Sequence, residues 1–353
     1  MRSIIRRELQ TIIQFSQHPM PLQTAIVLSL STLASLLTGL YVGQFQLGLL
    51  ASLANLAAIY LPSSSASHQL RAICICCAGF IIAFAIGSLI QPYPHTAIFV
   101  LTILTVAAHW LADRLDLQQP KALFFTMVAC VANAIPQAFD HILANTSAIT
   151  LGCVYTLFFL IISQAVITRR KKKSSAAKLA KADAPQPIRQ PQTNIYQSLI
   201  YAAFFGLAML VAHLLNIPSG YWVGVSCATV MLGANSRHVF QRGIQRVTGT
   251  AIGVLICLYT LSRLSPLEIC LMISLLNFLT PIAISKNYAL GIIFVTPITV
   301  LLVIATCPHI PANEIIMTRF IDIALGSFIG SIGGYFLHHQ IVYRRHQRSV
   351  HVS

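Results

Sequence analysis

Residues 146–173 read TSAITLGCVYTLFFLIISQAVITRRKKK, and this stretch decides the fold class. Twenty-two residues without a charge are followed, after Thr168, by five consecutive Arg or Lys residues. The uncharged run is long enough to cross the hydrocarbon core of a bilayer, for which an α-helix needs about 20 residues. Lys and Arg accumulate at cytoplasmic helix ends. The stretch therefore predicts a membrane-spanning helix that ends in the cytoplasm.

The rest of the chain has the same apolar composition. Of its 353 residues, 56% are apolar and 9% are charged, whereas about a quarter are charged in soluble globular domains. Nine cysteines lie mostly within apolar runs, where they act as small apolar side chains. A net charge of +15 suggests nucleic acid as a partner, but the distribution of the charges, described next, indicates a membrane instead. A soluble enzyme, a disulfide-rich secreted domain and a nucleic-acid binder are excluded.

Apolar runs bounded by polar, Pro or Gly residues predict twelve helices, six on each side of the basic stretch. The first six lie at about 22–39, 44–61, 72–90, 96–112, 121–139 and 146–167. The second six lie at about 196–215, 219–233, 244–262, 267–284, 288–306 and 319–338. With a cytoplasmic N-terminus, 21 of the 23 Lys and Arg residues are on the inner side. This excess predicts an all-α, polytopic transmembrane bundle with both termini cytoplasmic.

The charges also divide the chain into segments. Residues 1–19 predict an interfacial amphipathic helix, and residues 20–167 form the first six-helix half. Residues 168–195 predict a basic, Pro-containing cytoplasmic linker that attracts anionic lipid headgroups. The second half covers residues 196–339, and a basic cytoplasmic tail covers residues 340–353.

Matching residues recur in the two halves. The pairs are Arg71 and Arg242 before the third helix, Lys121 and Lys286 before the fifth, Pro136 and Pro297 interrupting the fifth, and Gly152 and Gly326 in the sixth. Because each half has six helices, the halves are predicted to be parallel repeats related by an axis along the membrane normal. Substrate pathways of transporters commonly lie between such repeats.

Two arginines mark the predicted cytoplasmic end of the ninth helix. Arg242 and Arg246 are four residues apart and so share one helix face, which Thr250 continues into the bilayer. A paired guanidinium face suits a carboxylate, which Arg binds in a planar fork. Anchoring of the helix end and contact with lipid phosphates is the alternative interpretation.

The eleventh helix begins with Asn287 and Tyr288 and contains Thr296 and Pro297. A proline in a membrane helix frees a carbonyl group, which a neighbouring threonine or water satisfies. Such a break is typical of a helix that lines a substrate pathway, and it is also found as a tolerated kink.

The twelfth helix is predicted to open with Arg319 and to carry Asp322 about one turn inside the membrane. An ionised Asp at a helix centre costs about 2.5–3.5 kcal/mol, less near the interface. Either Arg319 offsets this cost in a structural ion pair, or Asp322 exchanges protons with the outer compartment and couples them to transport. The glycines that follow, Gly326, Gly330 and Gly334, are compatible with a contact between the halves or between protomers of a homo-oligomer. No catalytic set, metal-ligand cluster or cofactor motif is visible.

In their order along the chain, these residues resemble the fusaric-acid-resistance-like family. The stretches that carry the resemblance are Tyr221-Trp222, Arg242, Arg246, Gly249-Thr250 and Gly253, then Asn287-Tyr288, Thr296-Pro297, Arg319, Asp322 and Gly326. The resemblance extends over residues 196–338. In residues 20–167 it rests on Arg71, Gly79, Gly87 and the number of helices.

That family includes aromatic acid exporters of bacterial inner membranes and, more distantly, plant malate channels. The resemblance therefore implies proton-motive-force-dependent efflux of small, often aromatic, organic acids, with a periplasmic adaptor protein completing some exporters. A passive organic-anion channel and a non-transporting membrane scaffold are the alternatives.

Overall fold

The computed structural model describes residues 22–135, 139–173, 195–260, 264–306 and 312–350, and these residues form twelve α-helices. The first half contains α1 (Leu22–Tyr41), α2 (Phe45–Ala54), α3 (Ala66–Leu89), α4 (Pro94–Arg114), α5 (Leu123–Ala134) and α6 (Phe139–Lys173). The second half contains α7 (Ile195–Leu214), α8 (Tyr221–Met231), α9 (Ser236–Thr260), α10 (Pro266–Lys286), α11 (Tyr288–Thr306) and α12 (Ala312–Val350). A 3₁₀ helix, Asn55–Tyr60, extends α2. Each predicted helix corresponds to one of these twelve.

Seven of the described helices are long and apolar enough to cross a membrane: α1, α3, α4, α6, α7, α10 and α12. Four shorter apolar helices accompany them: α2 with its 3₁₀ extension, α5, α8 and α11. Large apolar side chains point outward on these helices, for example Phe99 and Phe328. The chain is therefore a multi-pass membrane protein.

Glycines set the close helix contacts within each half. Gly152 of α6 lies against the carbonyl of Ala51 in α2, and Gly326 of α12 lies against the carbonyl of Val223 in α8. A Cβ atom at either glycine would overlap that carbonyl, so only glycine allows the helices to approach so closely. In the same way, α3 packs on α5 and α9 packs on α11.

The glycine ridge of α12 joins helices of its own half. Gly326 and Gly330 lie against α8, whereas Gly334 lies against Val239 of α9. The contact between the halves that the spacing suggested is therefore wrong, since these glycines pack within the second half. The halves meet instead where α1 packs on α10 and α4 packs on α7. The Ser29 and Ser274 hydroxyl oxygens are 3.0 Å apart at the first of these contacts.

Several helices extend beyond their predicted bounds. The helix α9 starts at Ser236 instead of residue 244, because Asn235 caps it and its Oδ1 accepts a hydrogen bond from the His238 amide at 2.9 Å. The helix α12 starts at Ala312 and continues to Val350, and α6 includes the first residues of the predicted linker. The segment 1–19, most of the linker and Pro136 lie outside the described residues.

The alternation of the helices brings the starts of α3, α5, α9 and α11 to one end of the bundle. We call this end the basic end because it carries Arg71, Arg114, Lys121, Arg237 and Lys286. At the opposite end, α8, α10 and α12 begin.

Candidate functional site: buried arginines in the second half

Three arginines lie inside the second half, where α8, α9, α11 and α12 meet. Arg246 and Arg319 are 7% and 3% exposed, and Arg242 is half-buried. Burial of a charged group costs several kcal/mol unless a counter-charge or strong hydrogen bonds compensate. The partners of these arginines therefore indicate what the site is built to hold.

Arg246 lies about 15 Å along α9 from its start and forms hydrogen bonds to two other helices. Its Nη1 donates to the hydroxyl of Tyr288 in α11 at 3.0 Å, and its Nη2 donates to Oγ of Ser226 in α8 at 3.2 Å. Both partners are neutral, and Nε has no hydrogen-bond partner in the structure. The positive charge of Arg246 is thus solvated by hydroxyl groups rather than neutralised.

Tyr288 connects the two arginines of α9. The guanidinium carbon of Arg242 lies 4.2 Å from the centroid of the Tyr288 ring, a cation–π contact, while the hydroxyl accepts from Arg246. The predicted pair therefore encloses an aromatic ring instead of presenting two free forks. The two arginines also lie in the second and third turns of α9, and not at its entrance, because α9 starts earlier than predicted.

Asn287 serves as the cap of α11. Its Oδ1 accepts hydrogen bonds from the amides of Ala289 at 2.9 Å and Leu290 at 3.4 Å. These bonds fix the first turn of α11 and hence the position of the Tyr288 ring. Asn287, predicted to line the pathway, thus also has a positioning role.

Arg319 is held by an aromatic ring in α8. Its guanidinium carbon lies 3.4 Å from the centroid of the Trp222 ring, and its Nε and Nη1 have no hydrogen-bond partner. Trp222 and Ser226 are four residues apart, so one face of α8 contacts both Arg319 and Arg246. Ser226 is a site residue that the sequence did not reveal, because nothing in it indicates which face of α8 meets α9.

Asp322 is fully buried, and neither carboxylate oxygen has a hydrogen-bond partner. In the described part of the chain, no charged nitrogen lies within the 4.0 Å that defines an ion pair with it. The structural ion pair with Arg319, one of the two alternatives from the sequence, is therefore not formed. The guanidinium of Arg319 stacks on Trp222 instead.

The remaining predicted residues lie deeper between α9 and α11. Thr250 is fully buried with an unpartnered hydroxyl, whereas Thr296 donates to the Ile292 carbonyl at 2.9 Å. The helix α11 continues through Pro297, so the predicted interruption is wrong. The carbonyl of Ile293, which Pro297 leaves without its helical donor, lies beside Gly253.

The described residues contain no group of three or more His, Cys, Asp or Glu side chains that could hold a metal ion. The site consists instead of guanidinium, hydroxyl and aromatic groups together with the carboxyl group of Asp322. Permanent cations with spare donors in a medium of low dielectric constant attract an anion strongly.

Comparison with known proteins links this region to a family. Residues 207–333 match the model of the family described as fusaric acid resistance protein-like, which confirms the resemblance deduced from the sequence. An uncharacterized membrane protein of Bacillus subtilis, YvaC, is 31% identical over 144 residues, which are 39% of this chain and 23% of that protein. The uncharacterized protein slr1298 of Synechocystis sp. is 27% identical over 120 residues, 34% of this chain and 16% of that protein. The chain thus matches less than a quarter of the length of either relative. No solved structure matches it.

Proposed function

Since residues 207–333 form a fusaric acid resistance protein-like membrane region, we propose that the chain exports small organic anions, aromatic acids among them, across the bacterial inner membrane. The observation that carries this proposal is the set of buried arginines whose described partners are neutral hydroxyl and aromatic groups. A purely structural role favours paired charges, because an unpaired buried charge is costly. A site that receives a mobile anion needs donors that are free until the anion arrives.

The proposed path runs along the arginines. Arg242, in the second turn of α9, is the first of them to meet an anion from the basic end, which we propose to be cytoplasmic because of its excess of Lys and Arg. Arg246 and Tyr288 hold it inside the bundle, and Arg319 on Trp222 receives it nearer the opposite end. Thr250 and the carbonyl beside Gly253 lie further along the direct contact between α9 and α11.

We further propose that the two halves are parallel repeats. The contact of α2 with α6 resembles that of α8 with α12, since a glycine of the sixth helix lies on a carbonyl of the second in both. Rocking of one half against the other at the α1–α10 and α4–α7 contacts would then open the site to each side in turn. The role proposed is transport without catalysis, in the cell as a homo-oligomer or with a periplasmic adaptor protein.

Proton coupling is assigned to Asp322. Its carboxyl group is buried near Arg319 and without a hydrogen-bond partner, so a proton that binds there changes the charge of the outer part of the site. A single charge that crosses a potential of 100 mV gains about 2.3 kcal/mol. The proton gradient is thus large enough to drive accumulation of an anion.

The test is flux into sealed proteoliposomes with an imposed pH gradient. Radiolabelled benzoate and succinate serve as probes, and protein-free liposomes correct for diffusion of the neutral acids. We expect the wild type to accumulate an acid against its own gradient, and Asp322→Asn to equilibrate it without accumulation. Flux that follows only the gradient of the acid in both proteins would indicate a channel, and complete absence of flux would indicate a scaffold; either result contradicts the proposal.

A further inference from the structure

A pocket opens at the basic end of the first half, whereas the arginine site lies in the second half. Its walls come from the end of the 3₁₀ helix, the first turns of α3 and the α4–α5 turn at Leu115–Gln118. The volume of the pocket is about 110 Å³. One water molecule needs about 10–15 Å³, so a group of several heavy atoms fits there.

Basic side chains outnumber acidic ones in the lining of this pocket. His68 and Arg71 lie one turn apart on α3, and Arg114 ends α4 opposite them. Asp116 is the one acid among the lining residues that the structure describes. Two Arg charges therefore face one carboxylate, and His68 adds an imidazole ring to the lining.

A second acid near the pocket, Asp113, does not reduce the net positive charge of its lining. Asp113 is buried behind the α4–α5 turn, and its Oδ1 accepts from Nζ of Lys121 at 2.7 Å. This contact neutralises both charges within the protein. The start of α3 adds to the positive potential, because the N-cap residue Ser65 makes no side-chain capping bond and the helix dipole places partial positive charge at that end.

The pocket also adjoins surface that faces lipid. Leu70 is 37% exposed next to Arg71, and Leu111 is 48% exposed one turn before Arg114. Arg114 stacks on Trp110, which is 38% exposed. Amphipathic Trp rings favour the boundary between headgroups and acyl chains. A ligand in this pocket thus has both a basic cradle and an apolar flank available.

We infer that the pocket of His68, Arg71 and Arg114 binds a phosphate group. A phosphate carries several acceptor oxygens that match two guanidinium forks. Basic pockets between membrane helices at the cytoplasmic side bind anionic lipid headgroups, and the apolar flank accommodates acyl chains. A free phosphate ester from the cytoplasm presents the same group to the pocket. This inference does not depend on anion transport by the second half.

Native mass spectrometry of the full chain released from mixed phosphatidylethanolamine–cardiolipin nanodiscs tests the lipid source. We expect wild-type protein to retain cardiolipin, and the double variant Arg71→Gln, Arg114→Gln to retain at least fivefold less. The matched control is Arg237→Gln, Lys286→Gln, which removes two exposed positive charges from the same end outside the pocket. It should retain cardiolipin like the wild type.

A second arm tests the free-phosphate source with inorganic phosphate, detected as a rise in thermal unfolding temperature in lipid-free detergent. A rise that the control pair keeps and the pocket pair loses assigns the site to a soluble phosphate, with or without lipid retention. Equal behaviour of the pocket and control pairs in both arms overturns the inference.

The variant Asp116→Asn is a control for misfolding, because it is expected to increase binding and misfolding would decrease it. The residue has a φ of 52°, which Asn tolerates, and the change removes the only described carboxylate of the lining. Retention of cardiolipin, or the phosphate-induced rise, should increase at least twofold. A decrease in both would contradict the inference, because it would mean that Asp116 does not oppose the ligand.

Discussion

The two halves of the bundle share a glycine–carbonyl helix contact but bury different polar groups. In the first half, Asn55 of the 3₁₀ extension donates to Ser35 Oγ of α1 at 2.9 Å and accepts from Thr156 of α6 at 3.0 Å, so the neutral groups satisfy one another. Between α8 and α12, the comparable space holds Arg319 on Trp222, with N–H groups that have no partner. Small residues thus account for the packing of both halves. Unsatisfied charge in the second half is the feature that points to a function.

The largest expected effect concerns the packing that both halves share. Gly152→Val and Gly326→Val each place side-chain atoms into a carbonyl of the neighbouring helix. We expect both variants to fail to yield monodisperse protein, since overpacking and backbone displacement together exceed the few kcal/mol that a core tolerates. Size-exclusion chromatography in detergent measures the outcome.

The control for this pair is Gly43→Asn. Gly43 has a φ of 73° and no atom within 4 Å of an added Cβ, and Asn tolerates this conformation. The control should behave like the wild type. If only one of the two Val variants were lost, the proposed common packing of the halves would be wrong.

A smaller effect is expected from the neutral network of the first half. Asn55→Ala removes two hydrogen bonds and leaves the Ser35 hydroxyl without its donor. We expect a loss of about 1–3 kcal/mol in the free energy of unfolding and unchanged anion flux per folded molecule. Thermal unfolding and proteoliposome flux, measured on the same preparation, separate the two quantities. Flux that falls while stability is retained would place part of the transport site in the first half.

The smallest effect concerns one hydrogen bond in the second half. Tyr288→Phe removes the hydroxyl that accepts from Arg246 and keeps the ring against Arg242. A hydrogen bond to a charged group contributes about 1.5–3 kcal/mol, so the apparent affinity for the anion should fall about tenfold or more. Tyr288→Leu, which removes the ring as well, should have a larger effect. Equal affinities of the two variants and the wild type would exclude Tyr288 from the site.

The sequence predicts the helices and the candidate site residues, because membrane helices and their charged ends leave simple patterns. Apolar runs gave all twelve helices, and the arginines of α9 and α12 stood out as charges within them. The contacts between helices could not be predicted from these patterns. An i, i+3 spacing suggested that Arg319 pairs with Asp322, whereas the packing of α8 offers Trp222 instead. Ser226 carries no local signal at all.

The sequence also did not predict where some helices begin. The polar stretch from Gly233 to Gly243 resembles a long loop in the sequence, and the cap at Asn235 moves the helix start by two turns. This shift places Arg246 well inside the bundle rather than at its mouth. The depth of an arginine in the membrane decides whether it anchors a helix end or is placed to bind a substrate. For Arg246, that depth follows from a helix start that the Asn235 side chain caps.

The most direct test of the central claim compares two arginines of α9. Arg246→Gln removes a buried guanidinium that contacts Tyr288 and Ser226, whereas Arg237→Gln removes an exposed one at the start of the same helix. Loss of a charged partner in a desolvated site costs about 2 kcal/mol or more, so Arg246→Gln should lower acid flux in proteoliposomes about thirtyfold or more. Arg237→Gln should transport like the wild type. Equal flux in both variants would contradict the claim that the buried arginines carry the anion.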